Sequence, residues 1–440
     1  MKHYPFLLVT LSLLWFAIGV GAQNKPAQWT LQNCLTYALE HNIQLKKSKV
    51  SLQSGEEDTY QAKAQMFPSL SASVSQNVSN YPSSGASTTN SYNGSYGVNA
   101  NWTLFDGNKR TNTIKQQELQ DQVNELGVEQ NEKDIRISII QNYMQVLYAY
   151  EAVRINENTV EVSKAQRDRS EKLLKAGSIS KVALAQMESQ YSTDKYQLVV
   201  ARKNLDNYKL QLKQLLELDI TEEIELAIPE LTADDVLVPL PGKEVIYATA
   251  LSVMPEVKSS ELGIQIAELD TKKAQAGYYP TLSLNAGLGT GNSSGMNIGF
   301  GTQVWDRFNE SIGLTLSIPI YNNRSNKTAV NKARFYMTSS RLELQNTQKA
   351  LLRTVEGIYL DATSAQNQYT ASVERVKYIS ESYQLTEEQF YLGMKNTLEL
   401  LTEKNNMLNA QQEELQSKYM AIMSIQLLNI YQNQPVSANY

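Results

Sequence analysis

The sequence predicts a mixed α and β membrane protein, in which long α-helices form a coiled-coil barrel and short strands contribute to a transmembrane β-barrel. Three observations support this class. The chain has two long stretches almost free of helix-breaking residues, four segments that alternate apolar and polar residues, and a duplication that spans nearly its whole length. Each of these patterns predicts a part of the fold.

The first 22 residues indicate a secretory signal peptide. Lys2 precedes a mostly apolar run at 6–20, and small residues lead up to Ala22. The run is short for a membrane span and no stop-transfer flank follows it, so we expect cleavage after Ala22. No later stretch has the eighteen or so apolar residues of a membrane helix, so the exported chain would have to meet a bilayer with strands.

Matches at two constant spacings reveal an internal duplication. Residues 64–71 align with 276–283 at a spacing of 212, and Gly177 aligns with Gly393 at a spacing of 216. The change in spacing falls in a loop between two strands. We therefore predict two repeats, each with a helix, two strands and a long helical hairpin. The predicted ranges are a signal peptide at 1–22, repeats at 23–218 and 243–433, a linker at 219–242 and a C-terminal tail at 434–440.

Four segments predict strands with one apolar and one polar face. Their alternating apolar residues lie at 70–74, 96–104, 282–288 and 312–320. Period-two alternation, small polar residues on the second face and aromatic residues near the ends are typical of transmembrane strands. An ordinary soluble sheet remains the alternative for any single strand. The loops at 82–93 and 289–309, rich in Ser, Gly, Asn and Thr, are expected at the outward tips as solvated, mobile segments.

Four strands are too few to close a barrel, because barrels of this kind need about eight or more. An open sheet edge within a bilayer leaves backbone groups unpaired at a cost of several kcal/mol each. Several copies must therefore share one barrel, and two, three or four copies remain open at this point.

Long helices are predicted at 108–176 and 322–392, where each stretch holds a single glycine and no proline. Each would be about 100 Å long at a rise of 1.5 Å per residue. Apolar residues repeat every seven positions, for example at Ile139, Val146, Val153 and Val160, and again at Leu184, Tyr191, Leu198, Leu205 and Leu212. Such heptads predict antiparallel coiled-coil hairpins that turn at Gly177 and Gly393. Because the seams also carry Tyr, Gln and Asn, a hollow tube is favoured over a solid rod.

The composition argues against chemistry and against nucleic acid. The formal net charge is −5, from 40 basic and 45 acidic residues, so no basic surface for nucleic acid is expected. Cys34 is the single cysteine, which excludes an intrachain disulfide, and it lies too far from the cleavage site for a lipid anchor. We expect Cys34 to pack as a small apolar residue, and the spacing of His41 from it does not suit a metal. With no phosphate loop or nucleophile elbow, the sequence predicts no cofactor, no metal site and no enzyme activity.

Five motifs carry a resemblance to a known family. They are WTLQNCLTYAL at 29–39, FPSL at 67–70, WTLFDG at 102–107, YPTL at 279–282 and LGMKNTLELL at 392–401. In this order, and with the duplication, the mature chain resembles the TolC family of outer-membrane efflux proteins along essentially its whole length. The resemblance implies a homotrimer in the cell outer membrane and its lipid, with twelve strands in the barrel and twelve helices in a periplasmic tube. It also implies a periplasmic adaptor (membrane fusion) protein and an inner-membrane pump of RND or ABC type as partners.

The same resemblance assigns site residues at the hairpin ends. It implies adaptor contacts at the two turns, at Gly177, Ser178, Ile179, Gly393, Met394 and Lys395. The family narrows its entrance with two acids one helical turn apart, and these positions hold Glu399 and Thr402 here, which halves the charge. The tyrosine and the acid that lock the closed state in the family correspond to Phe390 and Ala183, with Tyr391 as a neighbouring substitute.

These patterns favour a passive exit duct for solutes or proteins, driven by a pump elsewhere. The alternative is a structural or adhesive cell-surface protein with a coiled-coil stalk and no channel activity. That alternative explains the helices and leaves the paired β-hairpins without a purpose. An enzyme on a helical scaffold is a third class, and the absence of a catalytic motif argues against it.

Overall fold

A computed structural model describes residues 28–80, 90–294 and 296–435. The predicted signal peptide, residues 81–89 of the first tip loop and most of the predicted tail lie outside the described residues. Helices dominate the described chain, and the strands form one sheet. The elements in chain order are α1 (Leu31–His41), α2 (Ile43–Ala64), β1 (Ser69–Asn80), β2 (Asn90–Phe105), α3 (Lys109–Lys175), α4 (Lys181–Leu215), α5 (Ala233–Val236), α6 (Lys243–Val253), α7 (Pro255–Ala276), β3 (Thr281–Ser293), α8 (Phe300–Asp306), β4 (Asn309–Ser317), α9 (Ser325–Tyr391) and α10 (Thr397–Tyr431).

Corresponding helices in the two halves have equal lengths. The helices α3 and α9 contain 67 residues each, and α4 and α10 contain 35 each. The shorter helices also match, with 11 residues in α1 and α6 and 22 in α2 and α7. At 1.5 Å per residue, α3 and α9 are each about 100 Å long. No described helix combines the length and the apolar character needed to cross a membrane.

The single helix expected before each pair of strands is in fact two helices. In the first half, Asn42 leaves the helical conformation, and its side chain accepts hydrogen bonds from the N–H groups of Gln44 and Leu45 at 2.9 and 3.2 Å. In the second half, Met254 is extended because Pro255 follows it and disfavours the helical conformation at the preceding residue. A capping residue and a proline thus produce the same break at corresponding positions.

The sheet is antiparallel with the strand order β1-β2-β3-β4. Tyr96 of β2 lies opposite Val74 of β1 and Thr290 of β3, so side chains of one parity share a face across the whole sheet. We call this side the apolar face. It carries Leu70, Ala72, Val74, Val98, Ala100, Leu284, Ala286, Leu288, Ile312, Leu314 and Leu316.

Two predicted boundaries in the second half are wrong. The strand expected at 312–320 runs instead over Asn309–Ser317, because Pro319 has no N–H to give to the ladder. The segment 289–309, expected as a solvated loop, lies partly in β3, which continues to Ser293, and partly in α8. Gly and Asn residues continue the ladder of β3 by backbone hydrogen bonds where the side-chain alternation has faded.

The main hydrophobic core lies midway along the long helices. There α1 and the linker pack against α3, α9 and α10, with Cys34, Tyr143 and Ile422 fully buried. Trp29 forms an isolated parallel bridge with Leu226, and the Tyr143 hydroxyl donates to the Ala227 carbonyl at 2.9 Å. The linker is thereby fixed to the helices and contributes the short helix α5.

Candidate functional site

The two helical hairpins reverse through the same backbone structure. Gly177 and Gly393 have φ angles of 76° and 75°, the left-handed conformation that glycine adopts without steric cost. The N–H of Ser178 donates to the Leu173 carbonyl at 2.8 Å, and the N–H of Met394 donates to the Gln389 carbonyl at 2.9 Å. These bonds form Schellman motifs, which satisfy carbonyl groups at the ends of α3 and α9. The chain therefore turns at the positions where the sequence predicts it.

Side-chain caps begin the returning helices. The Ser180 side chain accepts from the N–H of Ala183 at 3.1 Å, at the start of α4. At the start of α10, Asn396 and Glu399 form a reciprocal capping box: the Asn396 side chain accepts from the Glu399 N–H at 3.0 Å, and Glu399 accepts from the Asn396 N–H at 2.9 Å. Two predicted site residues thus take part in these caps. Ala183 donates its backbone N–H, and Glu399 accepts with its carboxylate.

The Glu399 carboxylate is engaged within its own chain. Its second oxygen lies 2.6 Å from the Lys395 ammonium. The Asn396 backbone N–H and then the Lys395 ammonium hold the pKa of the Glu399 carboxyl below its usual value. Thr402 lies one turn further on, is exposed, and donates to the Leu398 carbonyl at 2.8 Å. The two predicted constriction residues are therefore close together, and the one charge is partly balanced by Lys395.

The residues predicted to pack the gate, at the positions that lock the closed state in the family, do not all lie together. Phe390 and Tyr391 belong to one apolar cluster, and Ala183 lies in the first turn of α4. Phe390 is buried against Met187, Tyr383 and Leu400, and Tyr391 packs at the edge of this cluster. The Arg169 guanidinium lies 3.3 Å from the centre of the Tyr391 ring. Among the described residues Ala183 is not a member of this cluster. Phe390 therefore contributes apolar packing between the hairpins.

A polar contact between the hairpins was missed by sequence reasoning. Gln166 of α3 donates to the Tyr383 hydroxyl at 2.6 Å and to the Glu387 carboxylate at 2.7 Å, both on α9. Burial and then the nearby Glu387 raise the pKa of Tyr383. This network joins the two long helices just above the turns.

A buried ion pair was also missed. The Lys404 ammonium lies 2.5 Å from the Asp194 carboxylate, and the two side chains are 1% and 5% exposed. The pair joins α4 to α10, and so one hairpin to the other. Asp194 lies three positions after Tyr191 of the heptad row given above. Lys404 lies three positions after Leu401, which begins the corresponding row of the second hairpin at Leu401, Leu408, Leu415 and Ile422. The heptad register could therefore have located both residues at the seam.

Exposed apolar side chains surround the turns. Val182 follows the first turn, and Leu392, Met394 and Leu398 surround the second. The four side chains are 67 to 75% exposed.

The chain combines a small antiparallel sheet that has an apolar face with two helices about 100 Å long, each of which folds back in a hairpin. This architecture suits a membrane channel with a helical extension. The model of the family described as "Outer membrane efflux protein" matches residues 35–217 and 246–429. The chain belongs to this outer membrane efflux protein family.

Named relatives agree with this assignment. The chain is 22% identical over 435 residues to the outer membrane protein TolC of Escherichia coli K12, covering 95% of this chain and 84% of that protein. It is 21% identical over 401 residues to the outer membrane efflux protein BepC of Brucella suis, covering 91% and 84%. The solved structure of the outer membrane protein VceC from Vibrio cholerae shares the fold with a TM-score of 0.77 at 15% identity, covering 92% of this chain and 97% of that one. The protein is accordingly an outer-membrane efflux channel, and a coiled-coil adhesin without a channel is not favoured.

Proposed function

We propose that three copies of this chain form a homotrimer in which their sheets close one β-barrel of twelve strands. The observation that carries the proposal is the sheet itself. Within the described residues β1 pairs with β2 alone and β4 pairs with β3 alone, so the protomer keeps two free edges. Inside a bilayer such edges must be paired, and β4 of one copy can pair with β1 of the next.

The apolar face is the lipid-facing side of this barrel. Leu70, Val74, Ile312 and Leu314 are each at least 64% exposed in the protomer. The opposite parity carries small polar side chains such as Ser71, which suit a wet lumen. The apolar face would contact lipid outside the barrel, and the polar face would contact water in the lumen.

The helices extend the pore into the periplasm as a tube of twelve helices. Near the sheet each chain contributes α2, α3, α7 and α9, which contact one another in that order, and near the turns it contributes α3, α4, α9 and α10. The assembly acts as a passive exit duct for solutes or proteins and carries out no reaction. An inner-membrane pump of RND or ABC type drives export, and a periplasmic adaptor joins pump and channel in a tripartite efflux or type I secretion system.

The turns are the adaptor-binding end. Gly177, Ser178 and Ile179 form one tip, and Gly393, Met394 and Lys395 form the other. The exposed Leu392, Met394 and Leu398 support this role, because they offer apolar area at the free end of each hairpin. Glu399 and Thr402 line the entrance beside these tips. Phe390 and Tyr391 pack together at the gate, where the channel closes.

The two repeats at 23–218 and 243–433, with a linker at 219–242, are the domains of the chain. Support comes from the equal helix lengths in the two halves and from the family model, which matches the chain twice. Each repeat contributes one β-hairpin and one helical hairpin to the pore.

Planar bilayers test the proposed channel. The purified mature protein, held in detergent, should have the mass of three chains and should give discrete conductance steps after insertion. A stalk or adhesin would produce no such steps. A monomer that stays soluble without detergent and does not bind vesicles would refute the channel.

A further inference from the structure

The helix α8 is held against the sheet by specific contacts. The Gln303 side chain, 6% exposed, accepts from the Ser293 N–H at 2.7 Å and donates to the Ile298 carbonyl at 2.9 Å. The Thr290 hydroxyl donates to the Val304 carbonyl. The Phe300 ring meets the Tyr96 ring edge-on, with centroids 6.4 Å apart. This segment is therefore a packed element of the fold.

The contacts place α8 on the apolar face. Tyr96 of β2 lies opposite Thr290 of β3, and the pair formed by Val98 and Leu288 lies two residues away on each strand. Side chains two residues apart on a strand point to the same side. The helix thus covers the distal part of the face that the proposed barrel turns towards lipid.

The same segment exposes large apolar side chains. Trp305 is 81% exposed, which is high for a tryptophan. Its neighbours with exposed apolar groups are Met296, Ile298, Phe300 and Phe308. Such a surface is unfavourable in water and favourable at the boundary between lipid headgroups and acyl chains.

The height of α8 on the sheet matches the thickness of a bilayer. Thr290 lies nine residues beyond the first residue of β3, or about 30 Å along the strand. A transmembrane strand contains roughly 9–11 residues. Exposed aromatic residues already mark the other end of the sheet, next to the helices; they are Phe67, Trp102, Phe105, Tyr279 and Tyr321. Two aromatic zones are therefore separated by one membrane-spanning length.

Lipid, and not a second subunit, is the occupant that fits this surface. α8 contacts β3, and its Phe300 meets β2, which are the two central strands. Subunits of the proposed trimer would meet at β1 and β4, the edge strands. A helix over the centre of the sheet stays clear of those edges.

We propose that residues 296–308, centred on α8, lie in the outer-leaflet interface of the membrane and supply the outer aromatic belt of the barrel. The inference rests on the proposed function, because it requires the apolar face to meet lipid. The strands themselves carry Tyr92 and Tyr96 near this height, and Tyr96 is already engaged by Phe300. α8 therefore adds the Trp and Phe side chains that anchor this end of the sheet.

Site-directed spin labels in the reconstituted channel test the proposal. Single cysteines replace Trp305, Val98 and Ser95 in turn, and the protein is placed in phospholipid vesicles. The native Cys34 is fully buried and stays unlabelled. Ser95 is the matched control, because it lies at nearly the height of Thr290 on the polar face. Replacing Trp305 leaves the contacts of Gln303 and Thr290 intact.

The expected result is a Trp305→Cys label that collides readily with oxygen and several-fold less with water-soluble nickel chelate than the Ser95→Cys label does. If the label at 305 meets the chelate as often as the label at 95, while the label at 98 is protected, α8 lies in water and the inference is overturned with the barrel intact. If the label at 98 also meets the chelate freely, the lipid-facing sheet is wrong and the proposed function fails with it.

Discussion

Asp194 and Lys404 form the most deeply buried ion pair among the described residues, and they connect the two helical hairpins. Removal of one partner from such a pair leaves a charge without compensation, which typically costs about 3–5 kcal/mol. The pair therefore fixes which turn of α4 lies beside which turn of α10.

Lys404→Met should lower the free energy of unfolding by about 3–5 kcal/mol, because the Asp194 carboxylate stays buried and unpaired. Thermal unfolding followed by far-UV circular dichroism measures the change. The double variant Asp194→Leu/Lys404→Met should recover most of the loss, since neither charge remains. Glu171→Gln, which breaks an exposed ion pair with Lys175, is the control and should have little effect. A Lys404→Met protein as stable as the wild type would show that the pair is not buried in the assembled channel.

Glu399 has a structural role in the capping box and a proposed electrostatic role at the entrance, and one substitution separates them. Glutamine keeps the acceptor of the capping box and removes the charge. Glu399→Gln should therefore keep the turn intact and lower the cation preference of the channel, and Glu399→Lys should reverse the sign of the local charge. Reversal potentials in a salt gradient measure both. Selectivity unchanged in both variants would exclude Glu399 from the constriction.

Cys34 should be unreactive in the folded protein. Burial raises the pKa of its thiol to about 12. Above the ordinary thiol pKa of about 8.5 the unfolded chain ionises and the folded chain does not, so this site lowers stability as the pH rises towards 12. At pH 8 we expect negligible alkylation by maleimide without denaturant and complete alkylation in denaturant. Rapid labelling of the native channel would contradict the packing of α1.

Among the elements, the hairpins depend on glycine in two different ways. Gly177 and Gly393 hold left-handed φ angles, whereas Gly127 and Gly357 lie within α3 and α9 with nothing within 4 Å of an added Cβ. The first pair permits the turns, and the second pair weakens helices that have room for a side chain.

Alanine substitution should therefore have opposite effects at the two kinds of position. Gly177→Ala or Gly393→Ala should cost about 1–2 kcal/mol, because an L-residue is strained at positive φ. Gly127→Ala or Gly357→Ala should stabilise the helix by about 0.5–1 kcal/mol. Thermal unfolding of the four variants in one detergent tests both. Destabilisation by Gly127→Ala or Gly357→Ala would reveal a close neighbour that the assembled trimer supplies.

On the scale of the whole molecule, the free edges of the sheet determine how copies meet. Double-cysteine variants that combine one polar-face position of β1 with one of β4 should form disulfide bonds between subunits, because the proposed trimer places β4 of one copy beside β1 of the next. A panel that combines Ser71 or Ser73 with Ser311, Gly313 or Thr315 covers the unknown register. Oxidation in membranes should give covalent dimers and trimers on a denaturing gel. A cysteine in β2 with one in β4 is the control and should give none; a panel without any cross-linked species would refute the shared barrel.

Several features follow from the sequence because they depend on local periodicity. The heptad rows indicated the long helices, and the match of Gly177 with Gly393 indicated the turns. The alternation at 96–104 identified β2. The failures arise where contacts between separate segments override the local pattern. The segment 289–309 lacked alternation and was expected to be a loop, yet backbone hydrogen bonds extend β3 and a buried Gln303 holds α8 in place.

The amino-acid pattern alone was enough to predict a mostly helical chain with a sheet and the position of each hairpin turn, since periodicity and glycine placement report on the conformation of neighbouring residues. The five motifs in their order were enough for the family. The three-dimensional arrangement was needed for the pairing of Asp194 with Lys404 and for the position of α8 on the apolar face. Asp194 and Lys404 lie 210 residues apart. Burial and pairing between distant segments arise from packing, which local sequence does not encode.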